Sequence, residues 1–283
     1  MKKILFIIII LIIFISGCTQ QNSNEKNLEV SFSYSQKIVC GMNTVIDVNL
    51  LNKLPKKIKN VYISIDNFES LEFKEIKKCD GILKDYGCFI NEIDPFDEKK
   101  VTFILNIPKN ICLGNKIKFM PQFSIFYEYS DQKIWKIPII GDKIKDYNKK
   151  KLESINEGPI QISLSVNGVS DAINIRSDDF IEINIDVYDT GNNNNLIEKD
   201  NFILTFYGFQ IYNLDSCEFQ ILETDDLNYF IKLKPIRDVQ LPKDSFKCIL
   251  KTKNLKDDEW FDGTIILDYN YNYNIISHIE LST

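Results

Sequence analysis

Histidine is nearly missing: His278 is the only one in 283 residues. A Ser-His-Asp or Cys-His device needs its histidine beside an activated nucleophile, and the chain carries no G-x-S-x-G motif. H-E-x-x-H and C-x-x-C are both absent, which removes the usual zinc frameworks. There is no glycine-rich phosphate loop, and no N-x-S/T sequon despite the many asparagines. The charge balance is acidic, at −6. An acidic chain is a poor partner for nucleic acid or for an anionic bilayer surface. Helical periodicity is almost absent after residue 28, which excludes a βαβ fold. These absences imply no enzyme, no metal site and no cofactor.

The N-terminus is informative. Met1-Lys2-Lys3 is a short basic start, and Ile4 to Ile15 is an apolar run of twelve. A membrane-spanning helix needs roughly 20 apolar residues and an export-signal core about 7–15. Ile15-Ser16-Gly17-Cys18 resembles the lipobox of prokaryotic lipoproteins: aliphatic, small, glycine or alanine, then cysteine. The resemblance implies a signal peptide over 1–17, cleavage before Cys18, and a lipid on its thiol. One acyl chain anchors only marginally, so two chains are expected. TQQNSNEKN follows, polar and unpatterned, and 18–27 reads as a flexible tether.

Six further cysteines remain: Cys40, Cys79, Cys88, Cys112, Cys217 and Cys248. An even set in an exported chain predicts disulfides. If bridges stay within each half, Cys217–Cys248 is forced and the first half allows three pairings. Cys79–Cys88 across a short loop, with Cys40–Cys112 closing a long one, is the preferred solution.

From residue 28 the dominant period is two. Val45–Leu50, Val61–Ile65, Val101–Leu105, Ile160–Val166 and Phe180–Val187 are short β-branched segments bounded by turn residues. The expected architecture is all-β, with sandwiches over 28–145 and 158–283. The charged stretch 146–157 between them is expected to be a linker with one or two helical turns.

The halves look like a diverged repeat. Residues 123–140 match 265–281, 101–110 match 245–254, and 48–67 match 185–208. A strand ending in Asn, a polar turn, NVYISI, a turn before VTFILNIP, then FYEY resembles the CARDB-like immunoglobulin-fold domains of archaeal surface proteins. Heavy use of Ile, Lys and Asn resembles chains from AT-rich prokaryotic genomes, methanogenic archaea in particular. The family usually has Gly in the turn before VTF, where this chain has Asp97-Glu98. The resemblance implies tandem immunoglobulin-like sandwiches and a structural, adhesive or scaffolding role outside the cell.

Three features invite a site reading. His278 alternates with Ile276 and Glu280, as a surface histidine on a last strand would. Tyr269, Tyr271 and Tyr273 share one strand face, as do Tyr127 and Tyr129. Such a row either stacks on sugar rings or covers the core with its hydroxyls at the rim, and Ile265 and Leu267 on the same face favour the core. Asp257-Asp258-Glu259 with Asp262-Gly263 clusters oxygen ligands but lacks the spaced calcium-loop pattern, so a solvated turn is expected. The function expected is a membrane-anchored, non-catalytic binding, adhesion or scaffolding module facing outside the cytoplasm. Its partners would be membrane lipid through Cys18 and an envelope protein or polysaccharide. The alternatives are an accessory subunit of a secretion, pilus or transport complex, and a transporter's substrate-binding lipoprotein.

Overall fold

The computed structural model describes residues 18–23, 27–111, 117–145, 150–152, 158–170, 172–189 and 196–283. The signal segment 1–17, Cys112 and most of the 146–157 stretch lie outside the described residues.

Alternating side chains make the strands. Asn43–Asn52 runs exposed, buried, exposed, buried along its length, and Phe180–Asp189 does nearly the same. In chain order the first strands are β1 (Cys18–Ser23), β2 (Leu28–Ser35), β3 (Asn43–Asn52), β4 (Ile58–Asn67) and β5 (Glu72–Cys79). Then come β6 (Ile82–Lys84), β7 (Gly87–Ile93), β8 (Glu98–Asn106), β9 (Lys118–Phe119) and β10 (Gln122–Ile140). The chain continues as β11 (Lys150–Lys151), β12 (Ile160–Val166), β13 (Ala172–Ile173), β14 (Ile175–Arg176), β15 (Phe180–Asp189) and β16 (Leu196–Ile197). It ends with β17 (Phe202–Tyr207), β18 (Phe209–Ile211), β19 (Phe219–Asp225), β20 (Phe230–Pro235), β21 (Val239–Gln240), β22 (Lys243–Thr252), β23 (Trp260–His278) and β24 (Leu281–Ser282). Among the described residues there is no α-helix.

The fold is all-β, with two immunoglobulin-like sandwiches. Unit 1 comprises the chain up to Glu128 together with Tyr273–Thr283, and unit 2 is Tyr129–Asn272. In unit 1 one sheet has the order β1-β2-β3-β8-β5, and the other runs β10-β4-β7-β6. In unit 2 the corresponding sheets are β12-β15-β22-β18 and β23-β17-β20-β19. The same strand order thus occurs twice. The repeated segments of the sequence occupy matching places: β3 and β4 match β15 and β17, β8 matches β22, and β10 matches β23.

The units do not follow the boundaries at 145/146 and 157/158 that the sequence suggested. The reason is the length of β10 and β23, each 19 residues, when a sandwich strand uses roughly 5–6. Each long strand begins in one unit and finishes in the other. Unit 1 receives Tyr273–His278 of β23 beside its own part of β10, and unit 2 receives Tyr129–Ile140 beside its own part of β23. The sheet opposite the β2-β3-β8-β5 layer is thereby completed by a strand from the other half of the sequence.

Two local expectations also differ from the structure. Cys18–Ser23, expected as a free tether, pairs antiparallel with β2, setting Cys18 opposite Ser35. A polar segment pairs through its backbone as well as an apolar one, and the edge of β2 offers unpaired N–H and C=O groups. Lys150–Lys151, inside the expected helical linker, is extended and pairs with β13.

The cores lie between the layers. In unit 1, Phe32, Phe103 and Phe123 meet with ring centroids 5.1 and 5.5 Å apart, surrounded by Val30, Val48, Ile63 and Ile125, all fully buried. In unit 2, Phe202, Phe219 and Phe246 form the corresponding cluster. Cys79 bonds Cys88 between the two sheets of unit 1, and Cys217 bonds Cys248 in unit 2. Cys40 is also disulfide-bonded. Its expected partner Cys112, like the side chain of Cys18, falls outside the described residues.

Candidate functional site

The tyrosine rows face inward. Tyr269, Tyr271 and Tyr273 are 3%, 2% and 2% exposed, and Tyr127 and Tyr129 are equally buried. Tyr127 packs on Tyr273 at 5.2 Å in unit 1, and Tyr129 on Tyr269 at 6.3 Å in unit 2. The sugar-stacking reading of these residues is therefore corrected: their rings are core, and no ligand reaches them from solvent. The physical reason is that the face they share with Ile265 and Leu267 is the one turned to the opposite sheet.

A buried ion pair lies beside Tyr269. Lys133 Nζ is 2.8 Å from Asp131 Oδ2, with side chains only 5% and 1% exposed. The Tyr269 hydroxyl lies within 3.5 Å of the Asp131 carboxylate and 3.4 Å of the Ile160 carbonyl. Burial, with a smaller contribution from neighbouring Tyr129, pushes the Tyr269 hydroxyl far above its ordinary range, so it stays a neutral donor. This is a satisfied polar cluster in a core, with no opening to a substrate.

The other candidates are surface features. His278 is exposed. Asp257 pairs with Lys143 at 2.8 Å, and Lys256 approaches Glu259 at 3.6 Å. Among the described residues no group of three His, Cys, Asp or Glu is placed to hold a metal. Among the described residues no helix is long and apolar enough to cross a membrane.

One outward-facing feature escaped the sequence reading. In an antiparallel sheet, residues directly opposite one another point to the same face. Ile82 of β6 faces Phe89 of β7, Phe89 faces Tyr62 of β4, and Tyr62 faces Phe126 of β10. These four side chains form one apolar lane across the outer surface of unit 1. Ile82 is 67% exposed and Phe126 43%, with Tyr62 and Phe89 half-buried. Tyr62 lies down on the sheet: a Cβ added to Gly87 would meet its ring carbons at 2.6 Å, and its hydroxyl donates to the Lys84 carbonyl at 3.3 Å. Glycine at 87 is what lets that ring lie flat. Partial burial, then the carboxylates of Asp85 and Asp66, raise the pKa of its hydroxyl.

Polar groups border the lane on both sides. On one side Lys59, Glu92 and Glu128 stand opposite one another, with Asn60 donating to Glu128 at 2.7 Å and Lys57 pairing with Glu92 at 2.9 Å. On the other side are Lys84 and Asp66, the latter accepting from Ser64 at 2.8 Å and from Ser124. The lane ends at β6, the last strand of its sheet, where Leu83 and Tyr86 are also exposed. The sequence did hold a signal. Tyr62, Phe89 and Phe126 each interrupt the polar parity of a strand whose neighbours Val61, Cys88 and Ile125 point inward.

No protein-family model matches the chain, and no curated protein matches it. Among solved structures, the secreted serine protease VesC from Vibrio cholerae aligns with 86% of this chain at 9% identity and a TM-score of 0.19. The aligned region is 50% of that protein, so the chain spans about half its length. A likeness this slight carries nothing about fold or function.

Proposed function

We propose that this protein is a membrane-anchored, non-catalytic binding module of a prokaryotic cell envelope, held by lipid on Cys18 and facing away from the cytoplasm. The observation that carries the binding role is the outward apolar lane of unit 1. Three aromatics and an isoleucine, partly to largely exposed and aligned across four strands, cost solvation and contribute little to a core, so their use is contact with another molecule. The anchoring role rests on the sequence: a basic start, a twelve-residue apolar run and Ile15-Ser16-Gly17-Cys18. The strand-and-turn pattern around NVYISI and VTFILNIP resembles domains of archaeal surface proteins. With Cys18 opposite Ser35 at the edge of unit 1, lipid there would hold unit 1 close to the bilayer.

The test is crosslinking in the source cells, detergent extraction and mass spectrometry. The expected result is an N-terminal peptide that begins at Cys18 and carries lipid, with an envelope partner recovered alongside. A native peptide that begins before Cys18 would overturn the anchor. Recovery in stoichiometric amounts with a secretion, pilus or transport complex would make the chain an accessory subunit of that machine.

A further inference from the structure

We infer that the lane of Ile82, Phe89, Tyr62 and Phe126 is a site for a neutral glycan, with pyranose rings laid across the strands. The inference rests on the binding-module reading and names its ligand class.

Three observations carry it. The first is a comparison inside the chain. Unit 2 has the same strand order, and at the repeat spacing Phe126 falls on Asp268. That row has Asp268 opposite Ile203 and Lys234 opposite Gln220, so it is polar where the lane is apolar. The fold therefore does not require an apolar row at this place. The second is width. The lane is one side chain wide, and polar groups begin about 7 Å away along each strand. Aromatics offer about 150–250 Å² each when fully exposed, so the lane shows on the order of 300 Å². A stable protein interface needs roughly 800 Å² a side. A sugar ring needs only one apolar C–H face below it and hydrogen-bonding groups at its rim. Tyr62, flat over Gly87, supplies the stacking face, and Lys84, Asp66, Glu92 and Glu128 stand where ring hydroxyls would reach.

The third observation is charge. Lys57, Lys59 and Lys84 balance Glu92, Glu128 and Asp66 along the two borders, and the chain as a whole is acidic. A polyanion would be repelled and a polycation would find no acidic field, which leaves a neutral polymer. Across four strands at about 4.8 Å spacing, the lane is roughly 14 Å long, enough for a few rings in sequence.

The test uses the full-length protein in detergent with cellohexaose and chitohexaose, both neutral chains of rings with open C–H faces. Saturation-transfer NMR is expected to show contact at the ring C–H protons, and calorimetry a measurable affinity. F126A, at an exposed position that leaves the core intact, and Y62A should each weaken binding at least about tenfold, or ~1.4 kcal/mol. Q220A, exposed on the matching row of unit 2, should leave it unchanged. Absence of transfer from both oligomers overturns the inference, and so does binding that survives both lane variants. Protection of Ile82 and Phe126 by a crosslinked protein segment, for instance one pairing with the open edge of β6, also overturns it while leaving the binding-module reading intact. An unprotected lane in the cell would overturn both.

Discussion

Deleting Tyr273–Thr283 separates a division by sequence from a division by contact. In a sequence-ordered pair of domains the deletion trims the second. In the structure these residues belong to unit 1. They bury Tyr273, Ile275, Ile279 and Leu281, none more than 3% exposed. Full burial of such a side chain contributes about 1.5–3 kcal/mol, so the four together contribute roughly 6–12 kcal/mol as an upper bound. Backbone bonds go with them: Ile38 N–H donates to the Ser282 carbonyl at 2.9 Å, Ser282 N–H to that of Gln36 at 2.7 Å, and Thr283 N–H to that of Ile117 at 3.1 Å. A domain's whole stability is about 5–15 kcal/mol. Unit 1 should therefore open when the segment is removed. Hydrogen exchange read by mass spectrometry would follow both units at once. The expected result is loss of protection in β2, β3, β4 and β8, with β12, β15 and β22 still protected. Protection lost from unit 2 and kept in unit 1 would refute the assignment of the last strand.

The buried pair in unit 2 gives a second expectation. Asp131→Leu alone leaves Lys133 charged in a dry site and should cost about 3–5 kcal/mol, while adding Lys133→Met should recover most of it; urea unfolding of the two variants checks this, and a double variant no better than the single would refute it. Asp244 gives a pH signature. Burial acts against its charge, but Arg237, bonded at 2.8 Å, and the Gln240 and Ser245 amides outweigh that and hold the carboxyl below its usual range. A depressed carboxyl contributes stability above its unfolded pKa of about 3.9, and that contribution is lost as pH falls through the folded value. D244N should therefore be less stable than the parent by about 1.5 kcal/mol at pH 7, with the gap closing below roughly pH 4. A gap that stays constant down to pH 2 would rule out the carboxylate as its source.

Much of the architecture was legible because strand periodicity is a local property. The alternation in β3, β12 and β15 marks both the strand and its buried face, and the repeated segments fall on matching strands of the two units. The division into units was not legible. Nothing in YEYSDQKIW or YNYNYNIIS says where along a continuous strand the packing partner changes. The tyrosine rows show the same limit. Their parity put them on one face, and only the sheet opposite decided that the face was interior. Lys150–Lys151 is extended because a charged stretch carries no period of its own, so its pairing partner β13 decides its conformation.

By itself the sequence determined the all-β class, the places of most strands and the even set of cysteines beyond Cys18. Each of these is written in spacing and residue type along a few neighbouring positions. Only the tertiary structure decided that β10 and β23 serve both units, and that Ile82, Phe89, Tyr62 and Phe126 stand in one row. Those facts depend on which strand lies beside which and in what register. Backbone pairing between residues as far apart in sequence as Tyr62 and Phe126 sets that register, and no local pattern records it.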